Sequence, residues 1–156
     1  MPEGTARTPG DEAAVIVQEI LGKMGLSALA TVADETEDQV TIDMAGNDIG
    51  ILIGRHGETL QALQLIVGGI FHRRTGSSAR ILVDAEGYRE RRAEQLRQRA
   101  RHIADQVRES GREAVLDSLT AYERRIVHLE LADDPDVYTY SEGEGDNRSL
   151  VISPKE

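Results

Sequence analysis

Apolar positions along the chain recur with two periods, and each change of period marks an element. Ala14, Val17, Ile20, Leu21 and Met24 repeat at helical spacing, and Gly25 follows as a stop. Strand-like runs come next at 27–33 and 39–45. In the second, Val40, Ile42 and Met44 alternate with Thr41 and Asp43, the pattern of a strand buried on one face. The acidic stretch DETED between them predicts a hairpin loop. A short apolar helix at 48–53 ends at Gly54. After Gly57 a second helix begins, carrying Leu60, Leu63, Val67 and Ile70 on one face as far as about Arg74. A loop at 75–78, a short buried strand at 80–84 and a long helix from about Glu86 to Glu109 complete this part. The long helix turns Leu96, Ala100, Ile103 and Val107 to one side, with Arg89, Arg92 and Arg99 on the other.

Gly111 breaks the long helix, and EAVLDSL at 113–119 reads as a strand. Thr120 and Glu123 form a Thr-x-x-Glu capping box, so a helix is expected from Ala121 through AYERRIVHLEL. Tyr122, Ile126 and Leu129 are its expected apolar face, with Arg124 and His128 opposite and exposed. Two β-rich runs, VYTYSE and RSLVIS, joined by the turn-forming GEGDN, close the chain. Residues 1–10 carry two prolines and two glycines and read as a disordered start.

Composition adds constraints. The 156 residues suffice for one ordinary domain or two small ones. Aromatics make up only 3%, so the core must be aliphatic. Cysteine is absent, which removes any disulfide frame or thiolate metal site. No apolar run approaches the roughly 20 residues that span a bilayer, and the N-terminal stretch lacks the apolar core of a signal peptide. The expectation is a cytoplasmic protein with no direct membrane insertion. The net charge of −10 argues against indiscriminate binding of polyanions, but it is unevenly spread. Residues 1–48 sum to −8, residues 49–110 to +4 and residues 111–156 to −6. Sixteen of the eighteen basic residues are arginine. Either genomic bias or a use for bidentate phosphate contacts accounts for that choice.

The basic middle begins at ILIGRHGETL. Glycines at both ends of the Gly54-Arg55-His56-Gly57 turn let a ligand approach the backbone, and the following helix presents unpaired amides and a positive dipole end. Arg55 adds a fixed charge and His56 a donor. A phosphodiester backbone fits such a turn. A nucleoside triphosphate does not, because the Lys-Ser/Thr pair after the last glycine is missing. Within its α-β-β-α-turn-α-β context, the stretch from 11 to 85 resembles a type II KH domain, whose GxxG loop clamps the backbone of about four single-stranded nucleotides. The resemblance implies that Gly54, Arg55, His56 and Gly57 form the clamp. Ile53 either lines the groove for the bases or is plain core. It also implies that Gly57→Asp weakens RNA binding and leaves the fold intact.

In the second half, AYERRIVHLEL followed by VYTYSEGEGDNRSLVIS resembles the small single-stranded nucleic-acid-binding domain named for its Arg-x-x-x-His motif (R-3-H). Arg124 and His128 match the naming pair, and Arg148 matches a basic position of the pattern. Tyr138 and Tyr140 share a strand face, for core packing or for base stacking. A type II KH domain followed by an R-3-H domain resembles the Jag family, the SpoIIIJ-associated RNA-binding proteins of bacteria. The expected fold is therefore α+β: a KH domain at 11–85, then a long helix and small α/β R-3-H domain at 86–154. Many family members carry a further N-terminal domain. Here only ten polar residues precede the first predicted helix, so the resemblance leaves open the roles of that domain, including any at the membrane insertase.

The implied partner is single-stranded RNA, with single-stranded DNA as the alternative. The implied output is post-transcriptional regulation linked to growth or division. The rival reading is a protein–protein adaptor that uses the KH domain as a dimerisation platform, as a homodimer or with another small KH protein. Helix 58–74 motivates it: Leu65 and Ile66 lie off the main apolar stripe, and Gly68 and Gly69 cost helix stability. Either the helix is sandwiched between the sheet and the long helix or it is an interface. His56, His72, His102 and His128 show no metal-ligand spacing, and no nucleophile–base pair is present. No enzyme, cofactor or metal is expected.

Overall fold

The computed structural model describes residues 7–156, and the expectation of disorder over residues 1–6 lies outside them. The chain divides into two compact units, one ending at Arg89 and the other spanning Glu90–Glu156.

In the first unit, helix α1 (Pro9–Lys23) starts earlier than the sequence suggested. Thr8 is its N-cap: its hydroxyl accepts from Asp11 N at 3.1 Å, and Asp11 accepts from Thr8 N at 3.2 Å. Pro9 sits at the first helical position, where its missing N–H costs nothing. Glu35 accepts from Gly10 N at 3.0 Å and fastens this start to the sheet, so residues 8–10 are ordered. Strand β1 (Leu29–Glu35) runs antiparallel to β2 (Gln39–Ala45), and β3 (Arg80–Ala85) joins β2 in parallel. β1 begins two residues later than predicted because Ser27 is held by the Asp48 carboxylate instead of by a strand partner. The hairpin closes at Thr36, whose N donates to Gln39 O at 2.8 Å.

Helices α2 (Ile49–Ile53) and α3 (Glu58–Thr75) flank a 3-10 turn at Arg55–Gly57. One face of the sheet meets α1, α2 and α3 in an aliphatic core. Val40, Ile42 and Met44 from β2 and Val83 from β3 are fully buried with Ile16, Leu21, Leu52, Val67 and Phe71. Each such side chain contributes about 1.5–3 kcal/mol through burial. The element order is the one the KH resemblance implied.

Helix α4 (Tyr88–Ser110) crosses the boundary between the units. Its part beyond Glu90 buries Ala93, Leu96, Ala100, Ala104 and Val107, with Ile103 only partly covered. The second unit adds β4 (Ala114–Leu116), α5 (Ala121–Leu131), β5 (Val137–Glu142) and β6 (Ser149–Pro154). Its sheet is antiparallel in the order β4-β6-β5. β4 is shorter than the predicted 113–119, since only three residues find a partner on β6.

The expected apolar face of α5 is wrong by one position. Tyr122 and Leu129 are exposed, and the buried stripe is Glu123, Val127 and Leu131. A carboxylate in that stripe is invisible to a hydrophobic pattern. It is buried because the Thr120 capping box uses one of its oxygens and Arg92 Nε donates to the other at 2.9 Å.

Candidate nucleic-acid interface

The turn between α2 and α3 depends on backbone conformations that side chains resist. Gly54 lies at φ 70°, ψ −165°, a region essentially reserved for glycine, and a Cβ there would also collide with the Thr59 hydroxyl. His56 and Gly57 are both left-handed, at φ 53° and φ 80°. The turn thereby swings Arg55 and His56 outward, and both are exposed. No side chain caps α3: Glu58 N donates back to Arg55 O within the turn, and the amides after it have no side-chain cap. Ile53 is half-buried against the core just beneath, compatible with both of its expected roles.

A Cβ on Gly57 would come within 2.8 Å of the Tyr88 ring. The expectation that Gly57→Asp leaves the fold intact is therefore corrected: aspartate there meets a left-handed backbone and a packed tyrosine. Tyr88 was missed at the sequence level because nothing local ties it to the turn, 31 positions earlier. Arg89, expected on a solvated helix face, donates instead to Val83 O and to Gln64 Oε1, at 3.0 and 2.9 Å from Nη2.

In the second unit, Arg124 and His128 do not project opposite the buried stripe of α5. They border it on the β5 side. Arg124 is half-buried and donates from Nη1 to Leu119 O at 2.8 Å, and the His128 ring nitrogen Nδ1 sits 2.5 Å from Thr139 Oγ1 on β5. Arg124, Arg125, His128, Thr139 and Arg148 line one open concavity of about 410 Å³. The three residues singled out in the sequence of this unit thus share a surface, and Arg125 joins them. Among the described residues neither Arg125 nor Arg148 makes an ion pair, so their charges face solvent.

Several other arginines are already neutralised within their unit. Arg74 pairs with Glu12 and Glu19, Arg97 with Glu90 and Glu94, Arg101 with Glu94 and Glu130, and Arg108 with Asp105 and Asp134. The Arg97 hydrogen bond, against desolvation and aided by Gln98 and Arg101, holds the Glu94 carboxyl below its usual pKa. The basic middle of the sequence is consequently no continuous positive stripe. Among the described residues Arg55 at the turn and Arg125 and Arg148 in the concavity make no ion pair, and neither do Arg73, Arg80, Arg99 and Arg112 elsewhere on the surface.

On the outer side of α3, Leu65 and Ile66 are exposed, and a Cβ on Gly68 or Gly69 would touch nothing within 4 Å. Leu65, both glycines, His72, Arg80 and Ile81 line a shallow groove of about 690 Å³. Nothing within the first unit supplies a packing reason for the glycine pair. Among the described residues no cluster of His, Asp or Glu could hold a metal ion, and no helix is long and apolar enough to cross a membrane.

Comparison with known proteins gives two family matches. Residues 11–83 match the KH domain of KhpA/KhpB, and residues 94–154 match the R-3-H domain. Relatives along both parts include proteins named RNA-binding protein KhpB. The one from Clostridium symbiosum is 36% identical over 146 residues, covering 93% of this chain and 66% of the relative. That from Bacillus subtilis is 36% identical over 142 residues, covering 90% and 66%. That from Streptococcus pneumoniae strain D39 is 31% identical over 141 residues, covering 90% of this chain but 43% of the relative. The chain thus spans two thirds or less of the length of these relatives.

Proposed function

Because the chain belongs to the Jag family, in which a KhpA/KhpB-type KH domain precedes an R-3-H domain, we propose that it binds single-stranded RNA through two separate sites. The carrying observation is the coincidence of unpaired cations with the two motif surfaces. Arg55 stands on the glycine turn at the uncapped start of α3, and Arg125 and Arg148 stand beside Arg124 and His128. At the first site, the turn Gly54–Gly57 takes the sugar-phosphate backbone on the open amides of α3, and Ile53 lies against a base. At the second, Arg125 and Arg148 meet phosphates, and His128 presents its remaining ring nitrogen. Arg124, held by Leu119 O, positions the rim with its other nitrogens free to donate. Each site alone is small. Linked in one chain, they raise each other's effective concentration along a strand. Single-stranded DNA is the competing ligand. The output we assign, on the family resemblance alone, is post-transcriptional regulation linked to growth or division.

The test is fluorescence anisotropy of the whole chain with a short single-stranded RNA at several salt concentrations. Affinity should fall as salt rises, with a logarithmic slope of about −0.7 per phosphate contacted. Arg55→Ala/His56→Asn and Arg125→Ala/Arg148→Ala should each weaken binding and flatten that slope. Absence of binding even at low salt would refute the proposal.

A second reading rests on the open face of α3. Leu65, Ile66 and the bare Gly68-Gly69 backbone suit close approach of another helix, as in a KH homodimer or a pairing with another small KH protein. Such an association is apolar and would persist or tighten in salt. Sedimentation across a salt range, with and without RNA, separates the two.

A further inference from the structure

The second unit has a sheet face turned away from its helices, of which only Tyr140 borders the Arg124/His128 concavity. Side chains alternate across its sheet, so Leu116, Leu150 and Ile152 point to the helices, and their strand neighbours point away. On that outward face Val115, Val151 and Tyr140 stand in one cross-strand row, with Tyr138 opposite Ser153 in the next. The rings of Tyr138 and Tyr140 lie 5.9 Å apart at 26°, forming one broad π surface. Core packing, one of their two expected roles, does not apply: Tyr138 is 46% exposed, Tyr140 37% and the adjacent Val115 57%.

The charged groups that contact this surface are carboxylates. Glu113 accepts from Tyr140 Oη at 3.2 Å and from Ser153 Oγ at 3.0 Å. Glu142 ends β5 on the same face, opposite Ser149, and Ser149 Oγ donates to Asp117 at 2.6 Å. The three strands contain no lysine or arginine. Of the nearest basic residues, Arg112 precedes Glu113 outside β4, Arg148 lines the concavity beside α5, and Lys155 Nζ donates to Asp134 O. Desolvation, then the Glu113 hydrogen bond, then the Glu113 and Glu142 charges push the Tyr140 phenol above its usual pKa.

We propose that this tyrosine face is a docking surface for an arginine-bearing segment of a partner protein. A guanidinium stacks flat on a phenol ring and donates in its plane to carboxylates at the rim, which is the arrangement the face offers. An RNA base could stack on the same rings, but its phosphates would meet Glu113, Asp117 and Glu142. The occupant is therefore cationic. Of this surface only Tyr140 also borders the concavity of Arg124 and His128.

The experiment is an amide NMR titration of the full chain with an end-capped peptide of alternating arginine and glycine. Saturable shifts are expected at Val115, Tyr138, Tyr140 and Ser153. Tyr138→Ala and Glu142→Gln should each weaken the peptide about fivefold, the size of one cation–π or exposed ionic contact. The spectrum itself reports whether each variant is folded, and Glu142→Gln carries the test should Tyr138→Ala disturb the sheet. Glu37→Gln/Asp38→Asn, in the hairpin of the first unit, removes two negative charges elsewhere and should change nothing. The proposal is overturned if that remote pair weakens the peptide as much as Glu142→Gln, since net charge alone would then be responsible. It is equally overturned if a short single-stranded oligonucleotide, and not the peptide, shifts the tyrosine face.

Discussion

Glu123 and Arg92 form the most consequential polar contact of the second unit, and its worth can be tested directly. Glu123 is 5% exposed, and Arg92 Nε approaches it at 2.9 Å. The same carboxylate closes the capping box on Thr120. Arg92→Met would leave a buried carboxylate with only the Thr120 amide, and stranding one member of a buried pair costs about 3–5 kcal/mol. Glu123→Gln keeps an acceptor for the capping box but turns an amide toward Arg92. It should cost about 1.5–3 kcal/mol, the value of a charge-assisted hydrogen bond. The double change removes both charges and should cost at least 1.5 kcal/mol less than the sum, roughly the coupling of two groups in direct contact. Small domains are stable by about 5 kcal/mol, so Arg92→Met alone should bring this unit near its unfolding midpoint. Urea titrations followed at the amides of Val127, Leu131 and Ile152 read this unit, with those of Val40 and Val83 as an internal reference in the other. If the two single penalties add in the double variant to within about 0.5 kcal/mol, the pair is uncoupled and the reasoning fails.

Three further outcomes follow from the geometry. His56→Asp should weaken RNA while the fold holds, because aspartate tolerates the left-handed φ of 53°, whereas Gly57→Asp should lose stability as well; thermal melts beside anisotropy distinguish them. Gly54→Ala should destabilise the first unit by about 1–3 kcal/mol, the cost of forcing a side chain into a glycine-only region, and an unchanged melt would remove the strain argument. Desolvation raises the Asp43 carboxyl above its usual pKa, with Asp84 and Glu86 adding to it against the Glu86 amide bond. Ionising it therefore costs stability as pH rises through the carboxylate range. Asp43→Asn should raise Tm by about a degree or two at pH 7, with the gain vanishing below about pH 4, and a gain that grows toward acid would reverse the sign.

The parts of the molecule that were legible in the sequence are those encoded locally. The alternation of Val40, Ile42 and Met44, the Thr120–Glu123 capping box and the glycines of the turn all appear where the residues placed them. Thr8-Pro9-Gly10-Asp11 carried the same capping signal as Thr120–Glu123, but proline and glycine made it read as a disordered start. What was not legible depends on long-range partners. Glu123 is buried because Arg92 lies across from it, and Arg124 sits at the sheet because Glu123 occupies the inward stripe. Tyr88 meets Gly57 only once β3 has brought the chain back. Charge was the least readable property, since Arg92, Arg97, Arg101 and Arg108 of the basic middle turn out to be paired within their own unit.

The glycine turn separates two kinds of inheritance. Position 54 is held to glycine by its backbone angles, and position 56 to the residue types that accept a left-handed φ of 53°, while position 55 points into solvent. Drift at 55, and within that narrower set at 56, can therefore strengthen or weaken the grip by single steps without moving the backbone that makes it. A lineage keeping Gly54 keeps the shape of the grip, and its strength stays free to follow whatever strand it has to hold.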